Sequence, residues 1–476
     1  MSLPAKPAAP KDQTALLRQL PSVDELLLRP AVTAVCKAVD RRYAVACVRE
    51  VLAELRRLGV SGELKDETAV TLESIEKSVV SAIESELAPS LRAVINASGV
   101  ILHTNLGRAP LSPAVISEFQ RSATQYSNLE YNLAVGARGK RDVHLSRLIE
   151  RLTGAEAAIV VNNCAAAVLL SLAALARGGE VIVSRGELIE IGDGFRIPEI
   201  MEQSGARLRE VGTTNRTRIA DYENAIGENS RLLLRVHPSN FNVTGFTEKP
   251  EVAELIALGK QRGLPVIEDL GSGCLVDLSD AGIAEPTARE SVEAGFSLVL
   301  FSGDKMLGGP QAGIIAGKTE LVTKVRRHPL FRALRVDKLT IASMEATLRA
   351  YLRADWNEIP TQRMIRASAE SIRKRSAAFV NSLAGNVDRL GAKIEVVEGN
   401  SLVGGGSTPA QSLPTFVLRV SSARCSASQL ESRLRAAPGG TPVIARIEDD
   451  RLILELRTVF PEQESALAEA LIAALG

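Results

Sequence analysis

Lys305 occupies a position where a lysine amine can do covalent chemistry. The apolar run 298–301 predicts a strand, and the glycine-rich turn after it carries Asp304 and Lys305. A lysine amine held away from water loses proton affinity and attacks aldehydes, and pyridoxal phosphate (PLP) is the cofactor that most often uses this chemistry. A lysine after a strand is, taken alone, more often an ordinary surface residue, so the interpretation depends on its companions.

Asp269 is the first companion. It comes after the short apolar run 264–267 and Glu268, and shortly before the glycines at 271 and 273. A carboxylate at the carboxyl end of a strand can keep a pyridine nitrogen protonated, which strengthens the ring as an electron sink, although it could equally cap a turn. Ser272 and Ser302, close in sequence to the acid and the lysine, are further candidates for contacts with PLP.

The second companion is a strand followed by a helix. The apolar run 157–161 is followed by two asparagines and an alanine-rich helical segment that begins near Cys164. Backbone N–H groups at a helix start bind phosphate, so Asn163 and Cys164 are candidates for holding the phosphate of PLP. The order helix, Asp269, Lys305 is similar to that of the fold-type-I PLP enzymes.

Longer stretches resemble the bacterial selenocysteine synthases, the L-seryl-tRNA(Sec) selenium transferases. The stretches are LPSVDELL at 20–27, NASGVILHTNLGRAPL at 96–111, YSNLEY at 126–131, SRGELIEIG at 184–192, FSGDK at 301–305 and VGGGS at 403–407. They cover the chain nearly end to end, which makes the resemblance far more specific than a single motif.

The resemblance implies a reaction. L-Seryl-tRNA(Sec) would be converted to L-selenocysteinyl-tRNA(Sec) with selenophosphate, by PLP-dependent elimination of water through an aminoacrylyl intermediate and addition of selenium. Lys305 would remove the Cα proton, and the adjacent Asp304 would give a proton to the leaving hydroxyl. The resemblance also implies a homo-oligomer built as a ring of dimers.

Selenophosphate requires cationic partners, and the resemblance points to Arg332 and Arg335, with Arg108 as a third candidate. Arg332 and Arg335 are three residues apart, so on a helix they would share a face. Guanidinium groups bind phosphate in two-pronged contacts. Arg457 would bind the carboxylate of a free amino acid, but the substrate carboxyl here is esterified to tRNA, so we expect Arg457 to have a structural role.

Composition narrows the class of protein. The 476 residues carry a net charge of +1, so any contact with RNA must come from a local patch, and no DNA partner is expected. Five scattered cysteines and four histidines argue against a metal site and a disulfide framework. The sequence has neither an apolar run of about 18 residues nor a signal peptide, so we expect a cytoplasmic protein without membrane contact.

The first of the predicted domains is a helical, tRNA-binding domain at 1–70. A proline- and alanine-rich leader runs to about residue 15, a capping-box pattern at Ser22 begins a set of helices that runs to Leu58, and Gly59 is interpreted as a stop signal. In residues 1–65, eleven lysines and arginines face seven acids. The arginines that recur every seven residues would line one helix edge and contact tRNA, with a solvated helix face as the alternative: Arg42, Arg49 and Arg56.

The rest of the chain predicts an α/β protein. Residues 71–100 form a linker or arm, 101–340 a PLP-binding large domain with a mainly parallel sheet, and 341–476 a small α+β domain. Strands are expected at 157–161, 180–183, 231–236, 265–268, 297–301 and 312–316. Polar residues follow several of them and should converge at one edge of the sheet. The glycines at 404–406 predict only a flexible turn.

Two alternatives from other classes remain. One is a PLP-dependent lyase or aldolase acting on a small amino-acid-like substrate, which would be expected to lack the N-terminal helical domain. The other is a tRNA-binding protein without catalysis, which the joint presence of Lys305, Asp304 and Asp269 opposes.

Overall fold

The computed structural model describes residues 20–63, 67–191, 194–409, 411–437 and 439–476. The predicted leader up to residue 15 lies outside this part of the chain. The chain divides into two compact units, Met1–Ala93 and Val94–Gly476.

The first unit is helical. Its α-helices are α1 (Val23–Leu27), α2 (Pro30–Cys36), α3 (Arg41–Ser61) and α4 (Leu72–Leu87). The Ser22 hydroxyl accepts the Glu25 amide at the start of α1, as the capping pattern predicted. The predicted stop at Gly59 is wrong, because Gly59 is buried inside α3. The helix ends at Ser61 and is capped by Gly62, which adopts the left-handed conformation (φ 80°).

The helical unit continues beyond the predicted boundary at residue 70. Thr71 caps α4, whose apolar face contributes Ile75, Val79 and Ile83 to the same core as α1 and α3. Arg29 also forms an ion pair with Glu76 of α4 at 2.8 Å. The start of the predicted 71–100 linker therefore belongs to this packed unit.

The second unit is built on a seven-stranded sheet in the order β4-β12-β11-β10-β9-β5-β8. The strands up to residue 317 are β1 (Ile95–Asn96), β2 (Tyr131–Asn132), β3 (Ala137–Arg138), β4 (Ala157–Val161), β5 (Glu180–Ser184), β6 (Glu190–Ile191), β7 (Phe195–Arg196), β8 (Arg207–Val211), β9 (Ser230–Val236), β10 (Val266–Gly271), β11 (Leu298–Ser302) and β12 (Gly313–Gly317). Within the seven-stranded sheet β12 runs antiparallel to both of its neighbours, and the other pairs are parallel.

Helices cover both faces of this sheet. They are α5 (Pro113–Thr124), α6 (Val143–Thr153), α7 (Cys164–Leu175), α8 (Ile197–Ser204), α9 (Ile219–Ala225), α10 (Val252–Arg262), α11 (Ala288–Ala294), α12 (Thr319–Arg327), α13 (Pro329–Leu334) and α14 (Lys338–Arg353). One apolar core contains residues of α6, α10 and α14, and the other contains residues of α7, α8 and α12. Burial on both faces explains why the central strands are continuous apolar runs.

The C-terminal part has a four-stranded antiparallel sheet in the order β13-β14-β17-β16. Its elements are α15 (Pro360–Arg366), α16 (Ala369–Arg389), β13 (Ala392–Leu402), β14 (Ser412–Ser422), α17 (Ala427–Ala436), β15 (Val443–Ile444), β16 (Arg446–Glu448), β17 (Arg451–Leu454) and α18 (Glu464–Leu475). β1 pairs in parallel with β15, so residues at both ends of this unit meet. The predicted α/β architecture is confirmed. Within the described residues, no helix is long and apolar enough to cross a membrane.

Candidate active site

A cavity of about 270 Å³ lies at the carboxyl edge of the seven-stranded sheet. Its walls include the start of α7, the residues that follow β9, the end of β10 and the turn after β11. The expected convergence of polar residues at this edge is therefore seen in the structure.

Lys305 lies in this cavity and is 5% exposed. Burial lowers the pKa of its amine below the ordinary lysine value. The Nζ atom donates a hydrogen bond to the carbonyl oxygen of Gly406 at 3.3 Å. A buried amine with a lowered pKa has the properties required of a nucleophile toward an aldehyde.

Asp269 lies in the same cavity, at the end of β10. Burial raises the pKa of its carboxyl to about 6, and the nearby Lys305 amine opposes that rise. The Cys164 thiol donates a hydrogen bond to Asp269 Oδ1 at 3.4 Å. Burial also raises the pKa of Cys164 well above its ordinary value, so this residue is a neutral thiol that contacts the acid.

The start of α7 offers donors for a phosphate. The side chain of Asn163 caps the helix by accepting the Ala166 amide at 2.8 Å. The Cys164 and Ala165 amides belong to the first turn, where helix geometry leaves N–H groups without an intrahelical acceptor. Asn163, Cys164 and Ala165 all line the cavity, so the helix start faces the lysine and the acid.

A glycine keeps the space between these groups open. A Cβ on Gly271 would lie 3.5 Å from Ser239 Oγ and 3.9 Å from both Asp269 Oδ1 and Lys305 Nζ. Gly271 also has a φ of 68°, a conformation that side chains disfavour. The amine, the acid and the helix start thus surround one unobstructed space, and these residues fit PLP.

Arg108 and Asp304 form an ion pair at the wall of the cavity. Arg108 Nη1 lies 2.8 Å from Asp304 Oδ2, and the two side chains are 33% and 12% exposed. The backbone positions Arg108 unusually, because both Gly107 (φ 86°) and Arg108 (φ 62°) are left-handed. The residue next to the lysine is therefore tied to a cation 196 positions away in sequence.

Arg332 and Arg335 do not share a helix face, contrary to the prediction. α13 ends at Leu334, and Arg335 is extended because its backbone bridges to Val161 at the end of β4. The Arg335 guanidinium lies 3.1 Å from Glu130 Oε1, whereas Arg332 is exposed on α13. Neither side chain lines the cavity; of the three predicted arginines, only Arg108 does so.

The other predicted residues fall into two groups. Ser302 lines the cavity, but the hydroxyl of the fully buried Ser272 does not and has no hydrogen-bond partner among the described residues. Arg457 is buried, and its guanidinium donates to Ser401 Oγ and to the Met364, Ala367 and Pro414 carbonyls. Because these acceptors occupy the guanidinium, the structural role expected of Arg457 agrees with its contacts.

Sequence reasoning did not assign a role to several residues of the site. His237 and Ser239 line the cavity; the polar run after β9 was the signal for them. No sequence feature indicated Tyr351 and Gln362, whose side chains form hydrogen bonds with the backbone of the turn after β11. The Tyr351 hydroxyl donates to the Leu307 carbonyl at 2.8 Å, and the Gln362 amide donates to the Met306 carbonyl at 3.0 Å.

The three arginines predicted to contact tRNA lie on α3 in the first unit. Arg42, Arg49 and Arg56 are all exposed, and the apolar stripe beside them on the helix is buried through Val48 and Leu52. In the described part of the chain their guanidinium groups make no ion pair and no hydrogen bond. The predicted exposed edge is therefore present.

The chain is similar to known proteins over most of its length. The family described as L-seryl-tRNA selenium transferase matches residues 94–460, and the family described as selenocysteine synthase N terminal matches 17–56. An L-seryl-tRNA(Sec) selenium transferase of Carboxydothermus hydrogenoformans is 47% identical over 94% of this chain and 95% of its own length. Enzymes of the same name from Geobacter metallireducens and Aquifex aeolicus are 47% and 44% identical, each over 96% of this chain and 98% of the relative.

Among solved structures, a D-glucosaminate-6-phosphate ammonia-lyase superposes with a TM-score of 0.57. It is 20% identical, and the match covers 83% of this chain and 98% of the lyase. At this identity the likeness concerns the fold alone.

A buried lysine, a buried acid and a helix start at the carboxyl edge of this sheet define a PLP-dependent enzyme of fold type I, as predicted. The chain belongs to the L-seryl-tRNA(Sec) selenium transferase family. The predicted class of enzyme, a selenium transferase of selenocysteine biosynthesis, and the predicted cofactor are thereby confirmed.

Proposed function

We propose that this chain converts L-seryl-tRNA(Sec) to L-selenocysteinyl-tRNA(Sec), with selenophosphate as the selenium donor. The observation that carries the proposal is the buried Lys305 amine, which shares one cavity with Asp269, the start of α7 and the Arg108–Asp304 pair. When bound, PLP supplies an electron sink for the serine Cα. The near full-length similarity to enzymes that bear this name supports the choice of substrate.

Each residue of the cavity has a separate role in the proposed reaction. The start of α7 would hold the cofactor phosphate, and Asp269 would hold its ring nitrogen. Lys305 takes the proton from the serine Cα. Asp304, in its protonated form and no longer ion-paired with Arg108, gives a proton to the side-chain oxygen as the bond from that oxygen to Cβ breaks and water leaves. Selenium then bonds to Cβ, and Lys305 returns the proton to Cα. The bond between selenium and phosphorus breaks as a water molecule attacks the phosphorus, so that inorganic phosphate leaves.

Arginines hold the selenium donor in this proposal. Arg108 has five N–H donors, so it can contact Asp304 through Nη1 and a phosphate oxygen through the others. Arg335 itself bridges to Val161 at the end of β4, shortly before the start of α7, and Arg332 lies three positions earlier in the chain. We assign all three to selenophosphate.

Further parts of the proposal concern partners. The α3 edge contacts the tRNA backbone, the chain assembles into a homo-oligomer as a ring of dimers, and the enzyme works in the cytoplasm, where charged tRNA is used. Mass measurement in solution tests the assembly, with a monomer as the contradicting result.

The central test uses the full-length protein with PLP. Serine-labelled seryl-tRNA(Sec) and selenophosphate are expected to yield labelled selenocysteinyl-tRNA, whereas free L-serine gives no product. Turnover of free serine without activity on the charged tRNA would favour the small-molecule lyase instead.

A second test concerns the donor arginines. Arg332→Ala and Arg335→Ala are expected to raise the selenophosphate concentration needed for half-maximal rate about tenfold or more, as loss of a charge-assisted contact predicts. Seryl-tRNA binding is expected to persist. Arg327→Ala is the control, since Arg327 is also exposed and basic but has no assigned role. Loss of tRNA affinity at unchanged donor dependence would place these arginines on the RNA.

A further inference from the structure

The turn Gly404–Ser407, between β13 and β14, is more constrained than its sequence predicts. Its three glycines all have positive φ, at 74°, 64° and 72°. Both the amide and the hydroxyl of Ser407 donate to the Gly404 carbonyl, at 3.2 and 2.7 Å. Three glycines are needed because residues with side chains rarely adopt this backbone, so the turn has one defined left-handed shape.

The surroundings of the turn leave no room for side chains. A Cβ on Gly404 would lie 2.5 Å from Val100 Cγ1, and one on Gly405 would lie 2.7 Å from Leu102 Cβ. The Leu102 amide also donates to the Val403 carbonyl at 2.7 Å. The turn is thus packed against a fixed segment, and its carbonyl groups have fixed directions.

One of these carbonyl groups meets the reactive amine. Gly406 O accepts the hydrogen bond of Lys305 Nζ at 3.3 Å, the one side-chain hydrogen bond of Lys305 within the described residues. A Cβ on Gly406 would lie 3.4 Å from Nζ and 3.8 Å from Asn240 Cβ. Gly406 therefore contributes an acceptor for the amine and leaves the amine room to move.

We propose that the Gly404–Ser407 turn positions Lys305 for proton removal, with Gly406 O accepting a hydrogen bond from the free amine while the serine of the substrate lies in the cavity. This inference rests on the proposed function, in which Lys305 takes the Cα proton. Lysine has a flexible four-carbon stem, so its amine reaches the correct geometry only rarely unless an acceptor holds it. A misplacement of about 1 Å can reduce a rate about 100-fold, which makes a fixed acceptor valuable.

The test compares two glycine variants in the full-length holoenzyme. Gly406→Ala places a methyl group beside Lys305 Nζ, whereas Gly178→Ala introduces the same backbone strain (φ 76°) with nothing within 4 Å. The measurement is release of deuterium from seryl-tRNA labelled at Cα. We expect Gly406→Ala to slow release about 10- to 100-fold at unchanged seryl-tRNA affinity, and Gly178→Ala to retain the wild-type rate.

A gentler variant keeps the proposal testable if Gly406→Ala does not fold. Ser407→Ala removes the hydroxyl bond to Gly404 O and leaves the lysine untouched, so it should slow release by a smaller factor, and Ser407→Thr should restore it. In the cofactor-free protein, reductive methylation of Lys305, followed by peptide mass, should be faster in Gly406→Ala and Ser407→Ala than in Gly178→Ala. This second readout does not depend on activity.

The outcomes separate two failures. If Gly406→Ala and Ser407→Ala match Gly178→Ala in deuterium release and in lysine methylation, the turn is a structural element only and the inference is overturned. If the wild-type holoenzyme itself releases no deuterium from seryl-tRNA, the proposed function fails instead.

Discussion

The cavity of the second unit and helix α3 of the first unit use arginine in opposite ways. Arg108 is two-thirds buried and pairs with Asp304 at 2.8 Å. Arg42, Arg49 and Arg56 are exposed and have no ion-pair partner in the described part of the chain. The ion pair in the cavity fixes the position of a single guanidinium group. The edge of α3 instead presents several unpaired positive charges that can attract a polyanion.

The difference predicts the size of a mutation's effect. Removing one partner of a partly buried pair leaves the other without compensation, and in fully buried pairs that costs about 3–5 kcal/mol. Exposed charges act through counterion release, so each contributes little and salt weakens their sum. Single substitutions should therefore be severe in the cavity and mild on α3.

The largest effect is expected for Lys305→Ala. Without the amine, the purified protein should lose the absorption band of lysine-bound PLP and all detectable selenocysteinyl-tRNA formation. Absorbance spectra of the wild type and variant, with circular dichroism to establish folding, provide the measurement. An unchanged spectrum in a folded variant would remove Lys305 from this role.

The next effect is expected at Asp304. Asp304→Asn keeps the shape of the side chain but cannot give a proton, so elimination should slow by about 10²–10⁴-fold, the usual range for general acids. PLP absorption should remain, since Lys305 is intact. Rapid-quench measurement of labelled seryl-tRNA consumption tests this. A wild-type rate in the variant would transfer the proton donor elsewhere.

Much of this site could be predicted from the sequence because its parts are local. Apolar runs predicted β4, β10 and β11 because these strands are buried on both faces. Asp269 lies near the end of β10, and Lys305 comes three residues after β11. β8 escaped prediction because its sequence, RLREV, places charged residues at the exposed edge of the sheet. This segment is a strand because its backbone pairs with β5, a contact that its own sequence does not indicate.

Contacts between distant segments could not be predicted. Arg108 and Asp304 meet across 196 positions, and Gly406 reaches Lys305 across 101. The spacing of Arg332 and Arg335 suggested a shared helix face, but the backbone bridge to Val161 ends the helix between them. The glycines at 404–406 were predicted to be flexible, whereas tertiary packing makes their turn rigid.

A smaller effect concerns stability and pH at Asp269. Its pKa rises from 3.8 to about 6 in the cofactor-free fold, so between these pH values the folded state binds more protons than the unfolded state. Stability from this group therefore falls as pH rises and is lowest above pH 6. Cofactor-free Asp269→Asn should be more stable than wild type by roughly 1–3 kcal/mol at neutral pH. Urea unfolding should show the difference closing toward pH 4; a constant difference would contradict the assignment.

The smallest effects are expected on α3. Each of Arg42→Ala, Arg49→Ala and Arg56→Ala should weaken tRNA binding modestly and leave the maximal rate unchanged, because none lies in the cavity. Together they should lower the slope of log affinity against log salt by up to about three, roughly 0.9 for each phosphate released from its counterion. Filter binding from about 50 to 200 mM salt measures this slope. Arg57→Ala is the matched control, since Arg57 lies on the same helix but is already paired with Glu54 at 2.7 Å. If the control and the triple variant give equal slopes, the α3 edge does not contact RNA. The arginines of the cavity and of α3 would then differ only in how deeply they are buried.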